Sequence, residues 1–578
     1  MNRTLSALFA FSLLAFLIGC SPTETEQSDP YAALPRPDAD NGGIQLPDDF
    51  GAVVVVDSIG RGRHLAVRDN GDIYLRLRRL LTDDSTGIAA LRDTSGDGKA
   101  DLIESFGVGT GTEVVLHDEY IYYSSPTRVY RQPLPDGQLL PEPQIDTMIY
   151  FPDSTARGHS SKSFTFDGQG NLYVNIGSRS NACQEQARTK GSPGMDPCPE
   201  DTVRAAIWKF DANRPGQRQD DGMPYATGIR NTVGLDWNFS NNTLYVTQHG
   251  RDDLYRFWPD LYTDQESREL PAEEFLMVEE GDDFGWPYCY WDQFKGKKML
   301  APEYGGDGQT QRRCEGVKAP LIGFPGHMGP NALLFYTGDL FPERYKNGAF
   351  IAFHGSWNRI NYKQAGFMVA FVPMADGVPA GEWEIFATGF VGPEPVENPG
   401  NAAFRPCGLA QGPDGSLYVS DSQKGRIWRI MYYGEGSGIT SRPQQVAAAE
   451  KTGEEATAEL TGTMAAGQEV YNTYCRACHM DNGMGVPGMN PPLAGTDWVT
   501  GDVERLIGVV LNGLNEPIEI KGETYQNAMA AHAFLNDQQV ADVLTYIRSS
   551  FGNDAGPVSA EKVAEVRAAQ RATEVLPE

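Results

Sequence analysis

The sequence predicts an all-β six-bladed β-propeller followed by a small all-α domain. From about residue 46 to 435, short runs rich in Val, Ile, Tyr and Phe alternate with turns rich in Gly, Asp, Asn and Pro. Within that region a turn followed by an apolar-aromatic strand recurs at intervals of tens of residues, which is typical of a radial repeat. Residues 463–552 show apolar side chains at helical spacing instead.

The copies of this repeat share a Gly, Asn or Asp in the turn and branched or aromatic side chains after it. They lie at residues 70–74, 118–122, 170–174, 242–246, 346–351 and 414–419. One copy per blade predicts six blades. A large β-sandwich, or two of them, is the alternative, and the regular spacing favours the propeller.

The N-terminus predicts a lipoprotein signal that is cleaved before Cys20. A positive start at Arg3 precedes an apolar run over residues 5–18 that is too short to span a bilayer as a helix. Cys20 would then carry lipid and tether an exported protein to the periplasmic face of the inner or outer membrane. The alternative is a plain signal peptide with an incidental cysteine. Residues 21–45, rich in Pro, Asp, Glu, Thr and Ser, predict a flexible tether.

Cys475, Cys478 and His479 stand in the order Cys-x-x-Cys-His, the attachment signature of a c-type haem. The two thiols would form thioethers to the porphyrin, and the histidine would be the proximal iron ligand. With Pro-Pro-Leu at 491–493 and apolar helical spacing after Asn536, the motif predicts a small all-α cytochrome c domain.

The sixth iron ligand is expected to be a methionine, a histidine or water. Met480 adjoins His479 and cannot reach the opposite face of the haem, while Met484 and Met489 follow in the next loop. Met529 lies just ahead of the last helix, where class I cytochromes c place their axial methionine, and it is the predicted ligand. His532 is the alternative.

The predicted cytochrome domain spans residues 463–552 and lies between two polar segments. Residues 436–462, rich in Gly, Ser, Glu, Ala and Thr, predict a flexible linker. Residues 553–578 predict a polar tail or a frayed helix.

The net charge argues against one class of function, and the remaining cysteines favour two disulfides. The net charge of −29 argues against nucleic-acid binding, because a phosphate backbone would be repelled. In an oxidising compartment, proximity in sequence favours disulfides Cys183–Cys198 and Cys289–Cys314, which leaves Cys407 free. Sequence alone leaves other pairings of these five cysteines open.

An acidic loop has the spacing of an EF-hand and predicts a structural calcium site. Oxygen-bearing side chains stand at loop positions one, three, five, nine and twelve, with glycine at six. The alternative is an acidic hairpin turn, because the flanks have β character. The predicted ligands are Asp93, Ser95, Asp97, Lys99 through its backbone, Asp101 and Glu104.

Five polar segments beside the repeated strands are candidates for lining the propeller channel. Arginines that converge in such a funnel would suit a polyanionic ligand, because a guanidinium pairs bidentately with a carboxylate. The segments are residues 158–160, 228–231, 248–252, 354–359 and 404–406.

Several of these motifs resemble the quinoprotein sugar dehydrogenases, which depend on pyrroloquinoline quinone (PQQ) and include aldose, L-sorbosone and pyranose dehydrogenases. The resemblance rests on residues 158–159 and 166–178, and it covers about residues 45–435. The matches at 228–235, 285–290, 354–359 and 413–415 are similar to the L-sorbosone branch.

The resemblance implies roles for five residues. His159 matches the general base that removes a proton from the sugar hydroxyl while hydride passes to the quinone. Arg230 and Asn231 match residues at the reactive carbonyl of the quinone, where a positive donor stabilises developing oxyanion charge. Arg359 and Arg405 match the basic residues that hold the PQQ carboxylates.

The resemblance also implies a calcium ion bound by the backbone carbonyls of Gly250 and Arg251. This chain differs from the glucose enzymes at three positions. Ser178 stands where they have an aspartate beside the base, Cys407 where they have a second basic residue, and Arg251 where they have a proline. These differences favour the sorbosone-like branch.

The resemblance implies an exported quinohaemoprotein dehydrogenase that oxidises a sugar, or a related polyol or aldehyde, at PQQ. Electrons would then pass through haem c to an external acceptor, which could be a cytochrome, a copper protein or a membrane quinone pathway. The alternative is a propeller that binds carbohydrate or protein without catalysis, joined to an electron-carrying cytochrome, because fold does not fix function.

Overall fold

The computed structural model describes residues 34–574 with gaps. The gaps are at residues 80–85, 153–157, 360–361, 435–463, 465, 469, 476–478, 480–482, 486–489, 515, 527–528, 530 and 534. Cys20 and Cys478 therefore lie outside the described residues. None of the described helices has the length and apolar character needed to cross a membrane.

Six antiparallel blades follow one another along residues 50–432, and the predicted six-bladed β-propeller is confirmed. The first strand of the chain, β1 (Phe50–Val56), belongs to the last blade. The first blade contains β2 (Arg61–Val67), β3 (Ile73–Arg79), β4 (Ile88–Arg92) and β5 (Leu102–Phe106). The second contains β6 (Val114–His117), β7 (Tyr120–Ser125), β8 (Arg128–Pro133) and β9 (Asp146–Tyr150). The third contains β10 (Phe164–Phe166), β11 (Asn171–Ile176), β12 (Ala206–Asp211) and β14 (Met223–Ala226), and β13 (Gln217–Arg218) adds to the edge of the second.

The other three blades repeat the same order of strands. The fourth contains β15 (Thr232–Asn238), β16 (Thr243–Gln248), β17 (Glu273–Val278) and β20 (Ile322–Phe324). The fifth contains β21 (Pro330–Phe335), β22 (Ala349–Phe353), β23 (Met368–Val372) and β26 (Glu384–Ala387). The sixth contains β27 (Pro406–Gln411), β28 (Leu417–Asp421), β29 (Ile427–Tyr432) and β1. Short additions are the helices α1 (Leu254–Phe257) and α2 (Asp264–Glu269) and the hairpins β18 (Cys289–Asp292) with β19 (Lys297–Leu300) and β24 (Met374–Ala375) with β25 (Val378–Pro379).

The repeat in the sequence marks the same hairpin in every blade. Its copies enter β3, β7, β11, β16, β22 and β28, the second strand of each blade. Each hairpin contains a residue with positive φ, between 51° and 90°, where Gly, Asn and Asp are the best tolerated side chains. These residues are Gly71, Asp118, Gly170, Asn242, Asn347 and Gly415.

Residues 34–45 are packed on the propeller, which differs from the flexible tether expected there. Ile44 is buried, and Gln45 pairs with Thr388 beside the fifth blade. The carbonyl oxygen of Gly42 accepts hydrogen bonds from Trp428 Nε1 at 3.2 Å and Arg426 Nη1 at 2.7 Å. The segment is therefore part of the closing blade.

The C-terminal domain is helical and has its own core, as predicted. A helical segment Tyr471–Cys475 leads to the haem motif, and β30 (Ile518–Ile520) pairs with β31 (Glu523–Tyr525). The other elements are α3 (Asp497–Thr500), α4 (Val503–Asn512), α5 (Asp537–Ser549) and α6 (Ala560–Glu574). Asn536, the residue after which helical spacing was predicted, caps α5 through its side chain.

Helix α6 differs from the polar tail expected after residue 553. Val558, Val563 and Val566 are buried in the same core as α4 and α5. Arg567 reaches back to Asp537 at 2.7 Å. An alanine-rich helix whose buried valines are Val563 and Val566 gives a weak hydrophobic pattern, and its packing comes from the tertiary contact rather than from propensity.

Trp428→Ala should destabilise the closing blade. The indole is fully buried between Phe390 and Phe404 and donates to Gly42. Its loss leaves a cavity that costs about 3–5 kcal/mol, so the Tm of the propeller should fall by several degrees in differential scanning calorimetry. Phe294→Ala, which truncates a largely exposed ring, is the control. Equal effects of the two substitutions would contradict this account of the closure.

Candidate functional site

The predicted channel residues lie at one edge of the blades, next to the ends of the first and second strands. Each first strand of a blade begins, and each second strand finishes, at the same edge of its hairpin, because the two are antiparallel. Residues just before β10, β15 and β27 and just after β11, β16 and β22 therefore line one region. They include His159, Arg230 and Arg405 on one side, and Ser178, His249 and His354 on the other.

The imidazole of His159 is held in one tautomer. Its Nδ1 lies 2.9 Å from the carbonyl oxygen of Ser178 and 3.0 Å from the Ser178 hydroxyl. Because a carbonyl oxygen only accepts, Nδ1 carries the proton and Nε2 keeps a free lone pair. Burial, with the charge of Arg230, lowers the pKa of His159 to about 3. Ser178 thus orients His159, the predicted base, at the position where the glucose enzymes have aspartate.

Arg230 is buried and fixed by Asn181 and Asp252. Its Nε donates to the Asn181 carbonyl at 3.1 Å, and its Nη2 donates to Asn181 Oδ1 at 2.9 Å and to Asp252 Oδ2 at 3.2 Å. The backbone N–H of Arg230 donates to Gln248 Oε1 at 2.6 Å. The guanidinium therefore presents a fixed positive charge near His159.

Asp252 is a site residue that the sequence analysis did not select. Its carboxylate also accepts from Arg188 Nη2 at 2.8 Å and from Asn358 Nδ2 at 2.7 Å. Burial opposes ionisation, but Arg230, His327 and Arg188 hold the pKa of Asp252 below its usual value. Its signal in the sequence is its place directly after Gly250 and Arg251, inside one of the five polar segments.

Asn231 joins the third and fourth blades through side-chain amides. Its Oδ1 accepts from Asn175 Nδ2 at 3.3 Å, and its Nδ2 lies 3.4 Å from His249 Nδ1. His249 Nε2 donates to the carbonyl oxygen of Pro330 at 3.0 Å, which leaves Nδ1 as an acceptor. Burial lowers the pKa of His249 to about 4, so the ring is neutral.

Gly250 and Arg251, the predicted calcium ligands, follow β16. The N–H of Gly250 donates to Glu273 at 2.9 Å, and burial raises the pKa of Glu273 to about 8. The Arg251 side chain forms a buried ion pair with Glu303. Within the described ranges, no group of three or more His, Cys, Asp and Glu side chains is placed to hold a metal. Because the predicted ligands are backbone carbonyls, the calcium site stays a prediction.

The two arginines predicted to hold PQQ carboxylates differ in their surroundings. Arg359 is buried and forms an ion pair with Glu269. Its Nε and Nη1 have no hydrogen-bond partner among the described residues. Among the described residues, the acceptors of the Arg405 side chain are backbone carbonyls, those of His354 at 3.0 Å and Gly355 at 2.6 Å. Unused donors on both side chains fit a polycarboxylate ligand.

The EF-hand-like loop joins two paired strands, β4 and β5, which agrees with the alternative prediction of an acidic hairpin turn. The carboxylate of Asp93 accepts hydrogen bonds from the backbone N–H groups of Ser95, Gly96 and Gly98 at 2.7–3.1 Å. Glu104 lies inside β5 opposite Ala90, and its side chain is exposed. The loop is built on internal hydrogen bonds, and calcium binding there remains a prediction.

The cytochrome domain places His479 in the orientation that iron binding needs. Its Nδ1 donates to the carbonyl oxygen of Pro491 at 2.9 Å, which leaves Nε2 as the iron ligand. Burial lowers the pKa of His479. Cys475 packs against the same core, and Cys478 lies outside the described residues. These residues fit a covalently attached haem.

Met529 is held by a backbone bridge rather than by a helix. Its N–H donates to Leu514 at 2.8 Å and its carbonyl accepts from Leu514 at 3.0 Å. The side chain packs against the core formed by α4 and α5. His532, the alternative ligand, follows three residues later and is bound through its N–H to Val510 at 2.9 Å. Met529 as the sixth iron ligand, with His532 as the alternative, stays a prediction.

Comparison with known proteins places both domains. Residues 44–433 match the protein family described as TrAA12-like, and residues 464–551 match the cytochrome c family. The first match covers more than half of the chain. The chain belongs to the TrAA12-like family.

The relatives of the TrAA12-like domain include a protein named pyrroloquinoline quinone-dependent sugar dehydrogenase from Hypocrea jecorina. It is 24% identical over 464 residues, which cover 74% of this chain and 97% of the relative. An uncharacterized protein of Borreliella burgdorferi is 25% identical over 292 residues, which cover 50% of this chain and 65% of that protein. Cytochrome c-552 of Thermus thermophilus is 39% identical over 118 residues, covering 19% of this chain and 79% of the cytochrome.

Two solved structures share the fold of the TrAA12-like domain. The PQQ domain of pyranose dehydrogenase from Coprinopsis cinerea, in its holo form, has a TM-score of 0.53 and 18% identity, covering 67% of this chain and 97% of that structure. A calcium structure of the Trichoderma reesei Carbohydrate-Active Enzymes Family AA12 protein has a TM-score of 0.54 and 17% identity, covering 68% and 97%.

Both disulfides favoured by the sequence are formed, and they support the site of the TrAA12-like domain. Cys183–Cys198 and Cys289–Cys314 close two loops, while Cys407 is free and buried. The first bridge packs against Trp286, whose Nε1 donates to the Asn181 carbonyl at 3.2 Å. The bridged loops therefore hold Asn181, and Asn181 holds Arg230.

Asn181→Ala should destabilise the TrAA12-like domain. The substitution removes Oδ1, which accepts from Arg230 and from the N–H of Asp252 at 2.8 Å. Leaving these buried donors unmatched costs about 1–3 kcal/mol, measurable as a lower Tm. Asn213→Ala, at an exposed turn, is the control and should change stability little. A Tm equal to that of the control would contradict the anchoring role.

Proposed function

We propose that the chain is a PQQ-dependent sugar dehydrogenase that passes electrons through its own haem c to an external acceptor. The observation that carries the proposal is the pair formed by the neutral, oriented His159 and the buried, positive Arg230. The names of the relatives support PQQ as cofactor and a sugar as substrate. When bound, PQQ would supply the two-electron acceptor for the sugar carbon, and haem c a one-electron carrier.

The chemistry of the chain's own residues is proton removal beside a fixed positive charge. His159 Nε2 is the atom that takes the proton of the sugar hydroxyl, because Nδ1 already donates to Ser178. Arg230 stabilises the negative charge that develops next to it. Its ion pair with Asp252 keeps the guanidinium in place without filling its whole hydrogen-bonding capacity.

The residues around this pair fit the cofactor and the substrate. Arg359 and Arg405 would hold the PQQ carboxylates with their remaining donors, and the carbonyls of Gly250 and Arg251 would bind calcium. Trp357, in the polar segment beside Asn358, is 58% exposed. An exposed indole at a channel provides an apolar face on which a sugar ring can pack. An aldose, a pyranose or a sorbosone-like sugar is the proposed substrate.

An exported, lipid-anchored location and an external electron acceptor are part of the proposal. The leader and Cys20 support export and a lipid anchor on the periplasmic face of a membrane. Residues 436–462 lie outside the described residues, and their composition supports a linker through which the cytochrome domain would meet a soluble or membrane acceptor.

Haem reduction by added sugar tests the proposed activity. Protein with haem attached is loaded with PQQ and Ca²⁺, and a panel of aldoses, pyranoses and sorbosone is added while the haem spectrum is followed. Reduction that requires both PQQ and a sugar is the expected result. Verified PQQ binding without haem reduction by any substrate would overturn the dehydrogenase and favour a propeller that only binds.

His159→Ala should abolish haem reduction while PQQ binding persists. Loss of a positioned base costs about 10²–10⁴-fold in rate. His117→Ala is the matched control, because His117, at the end of the first strand of the second blade, stacks on Phe166 of the third blade, away from the candidate site. Unchanged turnover in His159→Ala would remove it as the base.

The pH profile of haem reduction provides a second measurement. With its pKa lowered to about 3, His159 stays in its basic form at every pH above that value. The rate at saturating sugar should therefore not decline between pH 7 and pH 5 through this group. An acidic limb near pH 6.5, the ordinary value for histidine, would show that His159 titrates normally.

A further inference from the structure

Blades one and six bring a second set of arginines to the channel. Arg63 lies in β2, the first strand of its blade, and Arg405 lies directly before β27, the first strand of the next blade around the ring. Between Gly62 and Leu65 the pairing of β2 with β3 contains one extra residue. Such a bulge turns side chains away from strict alternation, so the neighbours Arg63 and His64 both reach partners on other blades.

The side chain of Arg63 points at Cys407, which stands where the glucose enzymes have a second basic residue. Its Nη1 lies 3.4 Å from Cys407 Sγ, and Asn331 Nδ2 lies 3.6 Å from the same sulfur. The thiol is fully buried and is a weak acceptor. The small side chain of Cys407 therefore leaves room that the guanidinium of Arg63 enters from β2 of the neighbouring blade.

The nearby carboxylates are committed to other groups. Both oxygens of Glu113 lie 2.8 Å from His64 Nδ1. Although burial opposes the charge, Glu113 raises the pKa of His64 to about 9, so the two form a neutralised ion pair. Asp421 accepts from the backbone N–H groups of Arg405, Gln423, Lys424 and Gly425 at 2.6–3.1 Å.

Arg63, Arg78 and Arg405 are thus left without a carboxylate partner in the described part of the chain. Arg63 Nε is buried and has no hydrogen-bond partner there. The charge of Arg63 lowers the pKa of Arg78, and burial together with Arg63 and Arg78 lowers the pKa of Arg405 to about 10. His354 adds no charge, because burial and these arginines keep its pKa well below the usual value. Arg230 and Arg359, in contrast, each have a carboxylate partner.

We infer that Arg63 takes the role of the basic residue missing at position 407 and, with Arg405 and Arg78, binds carboxylates of the quinone cofactor. The inference rests on the proposed function for the identity of the ligand. Guanidinium groups suit it, because each can pair bidentately with one carboxylate. The ligand also links the first blade to the sixth.

PQQ titration of the metal-loaded, haem-containing protein tests the inference without turnover. Arg63→Gln should weaken PQQ binding about tenfold to hundredfold, the range for one charge-assisted contact, when binding is followed by equilibrium dialysis. Arg61→Gln makes the same charge change at an exposed position of the same strand and should leave the Kd within about twofold. Arg63→Lys, which keeps charge without the planar fork, should fall between the two.

The outcomes separate the inference from the proposed function. Wild-type protein that fails to bind PQQ overturns both. Wild-type binding with an unchanged Kd in Arg63→Gln, or a change no larger than in Arg61→Gln, overturns the inference alone. If Arg63→Gln lowers the Tm without PQQ, the comparison is made with Arg63→Lys, and a Kd equal to wild type in that variant overturns the bidentate role. A PQQ-induced rise in Tm that is smaller in Arg63→Gln supports the link between blades one and six.

Discussion

The structure depends on the pairing of the first strand with the last blade. Six pairs run between β1 and β29, from Phe50 with Tyr432 to Val56 with Ile427. This pairing closes the ring, and only a closed ring brings the starts of six inner strands to one channel. Trp428 lies in this pairing, opposite Val54, and its indole holds residues 40–44 by donating to the carbonyl oxygen of Gly42. The channel site therefore depends on contacts between residues almost 400 positions apart.

The blade repeat was visible in the sequence because it is a local backbone requirement. A hairpin residue with positive φ demands Gly, Asn or Asp, and each second strand is buried and apolar, so both signals lie within about seven residues. The haem motif, the disulfide pairs and the cap Asn536 are local in the same sense. His159, Arg230 and Arg405 were found through a resemblance, and the structure brings their polar segments to one edge of the blades.

Asp252 and Arg63 could not be read from the sequence in this way. Asp252 matters because Arg188, Arg230 and Asn358 arrive from three separate segments. Arg63 matters because a bulge redirects it and because position 407 is a cysteine. Both depend on which residues meet across blades, and that information is set by ring closure. Helix α6 was expected only as a polar tail or a frayed helix for a similar reason, since Val563 and Val566 define its buried face only once α4 and α5 are in place.

In the channel, most histidines are neutral and the arginines are positively charged. His159, His249, His327 and His354 all have a lowered pKa, with burial as the first cause. Because these rings stay neutral, they act as hydrogen-bonding groups with fixed tautomers. His64 is the exception, and Glu113 cancels its charge. The positive charge of the channel is therefore concentrated on guanidinium groups, which do not lose their protons at physiological pH. An anion that enters the channel meets a constant charge, while the base beside it stays ready to accept a proton.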